Sequence, residues 1–101
     1  MLLDVLPGPD FRYSHYGAGL TILFGNDFTN RTTSSLASPE RQRVERDYLQ
    51  ALEGEPCFVT MERRIDGIRY RNVHKLILPL GTDGERVDAL LVLLGVDPVR
   101  V

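Results

Sequence analysis

CFVTMERRIDGIRYRNVHKLILPL, residues 57–80, holds two runs of strand-forming side chains around one Asp66-Gly67 pair. Both members of that pair tolerate positive φ, as a type I′ turn demands, so the stretch reads as a β-hairpin. A second turn, GTDGE at residues 81–85, leads into RVDALLVLLGV at residues 86–96. The apolar centre of that segment has the character of a strand buried on both faces. Three consecutive antiparallel strands are therefore expected after Pro56.

Upstream of the hairpin lies the clearest helix signal. Ser38 is placed to cap free amides, Pro39 to take the first helical position, and Glu40 to sit near the positive end of the helix dipole. Val44, Tyr48, Ala51 and Leu52 recur on one face, and Gly54 supplies a stop. Arg41, Arg43, Glu45 and Asp47 are expected to be wet. Residues 26–38, rich in Asn, Thr, Ser and Asp, read as loop and short turns anchored by Phe28 and Leu36.

The opening segment contains a further pair of strands. Leu2, Leu3, Val5 and Leu6 precede the breaker Pro7-Gly8-Pro9, and the alternating run DFRYSHY follows at residues 10–16. Regular alternation would put Phe11, Tyr13 and His15 on one face and Arg12, Ser14 and Tyr16 on the other. Gly17 and Gly19 then bend the chain into AGLTILFG, residues 18–25, read as a short helical segment. Five strands with helical material between the second and third predict an α+β domain whose sheet is covered by helices on one face. If the opening pair joins the last strand, the order is 2-1-5-4-3 with a helical crossover. Phe11, Tyr13, Tyr48 and Phe58 would then share an interior with the last two strands.

Composition narrows the function classes. At 101 residues there is room for one domain, and 43% hydrophobic with 26% charged residues matches an ordinary folded soluble chain. A net charge of −2 gives no overall basic field for nucleic acid or an anionic membrane. The single cysteine, Cys57, excludes an intrachain disulfide framework. The N-terminal residues lack the basic and apolar regions of a signal peptide, and no apolar run is long enough to span a bilayer, so a cytoplasmic location is expected.

The element order and several phrases resemble a PAS domain, in particular the short stand-alone kind. The resemblance is carried by Gly8, Phe11, Arg12, Tyr13 and Gly17 in the opening hairpin, then by Phe24-Gly25, Asp27 and Thr29, and by the closing hairpin LILPLGTDGERVDALL at residues 76–91. Asn26, Asn30 and His15 depart from the phrases common in that family. The resemblance implies a sensory or protein-interaction module for signal transduction, often homodimeric, sometimes holding a small molecule or cofactor between sheet and helices. Residues 1–101 would form one such domain without the helix that commonly precedes the first strand.

Candidate chemistry is sparse. His15 on an inward face would serve as a structural hydrogen-bonding group, a ligand contact, or a haem or metal ligand. Cys57, His15 and His74 are scattered singly, against the closely spaced ligands of a zinc site, and His74 reads as sheet packing. Cys57 lacks a helix amino end to activate it, and residues 26–36 contain no cysteine of the flavin-adduct type. Gly17, Gly19 and Gly25 do not form a phosphate-binding loop, and no carboxylate pair is fixed by local spacing, so an enzyme is not expected. Arg63, Arg64, Arg69, Arg71 and Lys75 surround Tyr70 in a basic patch read as a solvated hairpin face, with weak RNA binding as the lesser alternative.

Two binding roles follow. Phe11, Tyr13, His15, Phe24, Tyr48, Phe58 and Met61 are the expected lining of a small-molecule pocket, with no particular cofactor predicted and a haem- or cofactor-binding sensor as the alternative. Leu2, Leu3, Leu90, Val92 and Leu94 are the expected exposed sheet face that would seal against another copy. A signalling protein is the other partner the resemblance implies.

Overall fold

The central hairpin forms as expected. The computed structural model describes residues 1–20, 27–65, 69–81 and 84–97, with the side chains of residues 40, 63–65 and 69–71 left aside. Its elements are β1 (Leu2–Leu6), β2 (Asp10–His15), a 3-10 turn (Thr33–Ser35), α1 (Glu40–Ala51), β3 (Cys57–Ile65), β4 (Arg69–Leu80) and β5 (Ala89–Val96). β3 and β4 pair antiparallel from Cys57↔Ile77 to Ile65↔Arg69, and the Asp66-Gly67 turn itself lies outside the described residues. Residues 18–20 are helical, and the rest of the expected 18–25 segment, from residue 21, also lies outside them.

All five strands belong to one antiparallel sheet in the order β2-β1-β5-β4-β3, with the helical elements packed on one face. The strand period of two sorts each strand into a covered inner face and an outer face. Leu3, Ile77, Leu90 and Val92 point inward, where they meet Phe11, Tyr48 and Ala51 in the core. Phe11 and Tyr48 touch edge to face, with ring centroids 5.4 Å apart. Burying such side chains contributes about 1.5–3 kcal/mol each.

β2 departs from simple alternation, with consequences for His15. Leu3 pairs with Tyr13, but the next residue of β1, Leu2, pairs with His15 rather than Ser14. The extra residue is a β-bulge, which reverses the side-chain phase beyond it. His15 consequently shares the outer face with Leu2 and is exposed, whereas Tyr16, expected outside, is buried inside. The inward placement of His15 is thus corrected. Gly17 follows at φ +95°, a conformation open to glycine that turns the chain into the helical residues.

The free edge of β2 is covered by the loop after it. Tyr13 N–H donates to Arg31 O at 2.9 Å, and Asn30 N–H donates to Tyr13 O at 2.7 Å. Asn30 adopts φ +67°, which asparagine tolerates better than most residues. Asp10 then fixes the 3-10 turn: Oδ1 accepts from Phe11 N–H, Thr33 Oγ1 and Ser34 N–H, and Oδ2 accepts from Ser34 Oγ.

The helix begins one residue later than the capping expectation. Pro39, not Ser38, occupies the N-cap and makes no side-chain capping bond, while Arg41 N–H donates to Ala37 O at 3.0 Å. The preceding turn thus satisfies an amide that a serine cap would have taken. At the other end Gly54, at φ +95°, donates to Ala51 O and stops the helix as expected. Asp47, expected in water, is buried because it falls three residues after Val44 and four before Ala51, within the apolar stripe.

Candidate ligand cavity

A cavity of about 400 Å³ lies between the inner sheet face and the segment running from Phe28 to Tyr48. Strand parity supplies its floor: Met61 from β3, Lys75 from β4 and Leu94 from β5 all face inward. The β2 bulge supplies one wall by bringing Tyr16 in beside Tyr13. Their rings meet edge to face at 5.7 Å, and Tyr16 meets Phe28 at 5.5 Å. α1 places Arg43, Val44 and Tyr48 on the other side. The turn anchored by Asp10 closes the rim with Ser35, Leu36 and Ala37.

Polar groups within this lining are few and mostly engaged. The Tyr13 and Tyr48 hydroxyls lie 3.4 Å apart in a shared hydrogen bond. Burial, then the neighbouring Tyr13 phenol, holds the Tyr48 hydroxyl well above the ordinary tyrosine range, which keeps it neutral. Lys75 Nζ donates to Asp47 Oδ2 at 2.9 Å, with both side chains more than nine-tenths buried, and sits 5.4 Å from the Tyr48 ring centroid. The basic-patch expectation is corrected at this residue: Lys75 is an internal cation beneath the helix, placed between Val73 and Ile77 at the strand period. The other four basic side chains of that patch lie outside the described side chains.

Of the expected pocket residues, Tyr13, Tyr48 and Met61 come together around the cavity. Phe11 is buried in the core beside Tyr48 without lining it. Phe24 lies outside the described residues. His15 and Phe58 are on the outer face, Phe58 being 67% exposed. Phe58 and Met61 are three residues apart on one strand and therefore face opposite ways, so the shared interior expected for Phe58 is also corrected.

The same parity redraws the apolar sheet face. Leu3, Leu90 and Val92 are buried in the core, and Leu94 lines the cavity. Among the five leucine and valine candidates, Leu2 alone has outer-face parity. The outer face is built instead from two cross-strand rows, Phe58–Leu76–Leu93 and Leu78–Leu91–Leu2. Beside the first row, His74 stacks on Phe58, its Nε2 donates to Asp97 Oδ1 at 2.9 Å, and its Nδ1 shares a hydrogen bond with Thr60 Oγ1 at 3.1 Å.

Sequence reasoning missed Tyr16, Arg31, Arg43, Val44, Lys75 and Leu94 as cavity residues. A signal existed for two of them, because Lys75 interrupts an inward apolar row and Val44 lies on the helix stripe. No local signal announced the bulge that carries Tyr16. Cys57 is a free, buried core residue. Among the described residues there is no cluster of three or more potential metal ligands, and no helix is long and apolar enough to cross a membrane.

The sheet order and one-sided helical cover make this a PAS-like five-stranded antiparallel fold. No protein-family model, no curated protein and no solved structure matches the chain.

Proposed function

We propose that this protein is a non-enzymatic sensory or interaction module that works as a homodimer. The observation that carries this reading is the uncovered outer-face row Phe58–Leu76–Leu93, whose ends are 67% and 50% exposed. A contiguous apolar face on a two-layer domain is a characteristic contact surface. A second copy presenting the same face would dehydrate both rows at once, as an isologous interface does. Sedimentation equilibrium is expected to give a dimer at micromolar concentration, with Phe58→Glu weakening association at least tenfold while leaving the fold intact. A wild-type monomer at that concentration would overturn self-association.

The second part of the reading is that the module holds a small molecule between sheet and helices. The roughly 400 Å³ cavity favours it, being of ligand-pocket size with apolar walls and a few converging polar groups.

A further inference from the structure

We infer that the cavity selects a small amphiphilic carboxylate, its apolar body against the Tyr13, Tyr16 and Phe28 wall and its charged end at Arg31 and Arg43. This rests on the reading of the cavity as a ligand site and adds the chemical class. The charge inventory of the lining is lopsided. Arg31, Arg43 and Lys75 contribute cations, and no aspartate or glutamate is among the lining residues described. The imbalance is local, since the whole chain carries a net charge of −2.

Among the described residues, one of these three cationic side chains is held by a carboxylate in an ion pair. Lys75 is held by Asp47 at 2.9 Å. Arg43 makes no side-chain hydrogen bond or ion pair among the described residues, although it points to the same cavity as Val44 and Tyr48. The Arg31 guanidinium lies over the Phe28 ring, 5.7 Å from its centroid. Asp27 feels the Arg31 charge, while its Oδ1 accepts from the Thr29 hydroxyl and amide. Two exposed guanidinium groups at the rim of an apolar cavity raise the local potential for an anion. The planar guanidinium fork also matches a carboxylate in a way that a neutral amide does not.

Both arginines are placed by devices that carry information about position. Arg31 follows Asn30 and is pinned by its carbonyl to the Tyr13 amide, so its side chain starts beside the aromatic wall. Arg43 is one residue before Val44 on α1, facing the rim formed by Ser35, Leu36 and Ala37. The ring cluster beneath them offers edges and faces to an apolar body, and Met61 and Leu94 give it a deformable floor. A free inorganic anion would use only the rim, and a neutral aromatic only the wall.

The test uses 1-naphthylacetate, its neutral analogue 1-naphthylacetamide, and acetate, each measured by equilibrium dialysis with naphthyl fluorescence or isotope label. The chain contains no tryptophan, so the naphthyl signal is read against a weak protein background. Expected is saturable binding of 1-naphthylacetate, at least tenfold weaker binding of the amide, and no saturable acetate binding. Arg43→Gln and Arg31→Gln, both at exposed positions, are expected to remove most of the acid-over-amide preference while leaving the melting temperature and amide binding unchanged. Equal binding of acid and amide overturns the charge selection and leaves the ligand-site reading standing. Acetate binding as tightly as 1-naphthylacetate overturns the apolar half. A preference that survives both arginine substitutions overturns the assignment to this rim. Failure of every probe to bind overturns the proposal together with the ligand-site reading beneath it.

Discussion

The two faces of the sheet treat polarity in opposite ways. The inner face buries a complete ion pair, Lys75 with Asp47, beneath the helix. On the outer face Phe58 and Leu93 remain largely in water. Residue type therefore does not sort the two faces. What sorts them is the cover: α1 lies across the inner face and brings the carboxylate that makes a buried ammonium tolerable, whereas no described element supplies an apolar partner for the outer rows. The difference teaches that the inner face is completed by the chain's own helix, whereas the outer rows are the surface that the proposed dimer would cover.

The strongest way to break this comparison is to remove half of the inner pair. Lys75→Met leaves the Asp47 carboxylate buried without its cation, and the expected loss is about 3–5 kcal/mol in urea unfolding. Lys75→Met combined with Asp47→Leu removes both charges, and most of that loss is expected to return, because the desolvation of the pair disappears with it. If the double variant is as unstable as the single one, the inner face depends on the pair for geometry rather than for charge balance.

A smaller effect is expected where the cavity rim is tied to β2. Asp10 is pushed up by burial, but the bonds from the Ser34 hydroxyl, the Phe11 amide, the Thr33 hydroxyl and the Ser34 amide outweigh this and leave its pKa below the ordinary aspartate value. Asp10→Ala orphans the buried Thr33 hydroxyl and frees the turn, at an expected cost of about 1–2 kcal/mol. The sign of the pH dependence follows from the lowered folded-state pKa. The carboxylate's contribution is fully present above its unfolded pKa of about 4 and is lost as pH falls through the folded value. Wild type and variant should therefore differ by a constant amount between about pH 5 and 8 and converge below about pH 4, as read in parallel urea titrations. A gap that persists unchanged into strong acid would show that the ionised carboxylate is not what holds the turn.

The regular parts of this architecture were legible in the sequence. Strand runs flanked by turn residues, one amphipathic helix and their order were enough to reach the sheet order 2-1-5-4-3. The candidate sites were less legible because they depend on phase. Phe58 with Met61, and Leu2 with Leu3, read as members of one face, yet residues an odd number apart on a strand face opposite ways. Tyr16 and His15 were exchanged by a bulge whose cause lies in pairing with β1, outside the local alternation. Asp47 and Lys75 each sat visibly in an apolar period, yet only the packing of α1 on β4 shows that they answer one another.

The finest test of the two faces is His15→Leu. His15 closes the outer row Leu78–Leu91–Leu2–His15, next to leucine on its paired strand and away from the cavity. The substitution changes an exposed side chain that makes no hydrogen bond, ion pair or ring contact among the described residues, so a stability change within about 0.5 kcal/mol is expected in a thermal melt. Its informative effect is on association. A leucine there lengthens the apolar row by one residue, and a modestly tighter dimer is expected in sedimentation equilibrium, with naphthylacetate binding unchanged. If instead the variant loses ligand binding and keeps its association constant, His15 belongs functionally to the inner face despite the bulge. Collapse of the fold would mean that the imidazole supports the strand end itself. The three outcomes read different surfaces, which makes one residue at the bulge a reporter of which side of the sheet it serves.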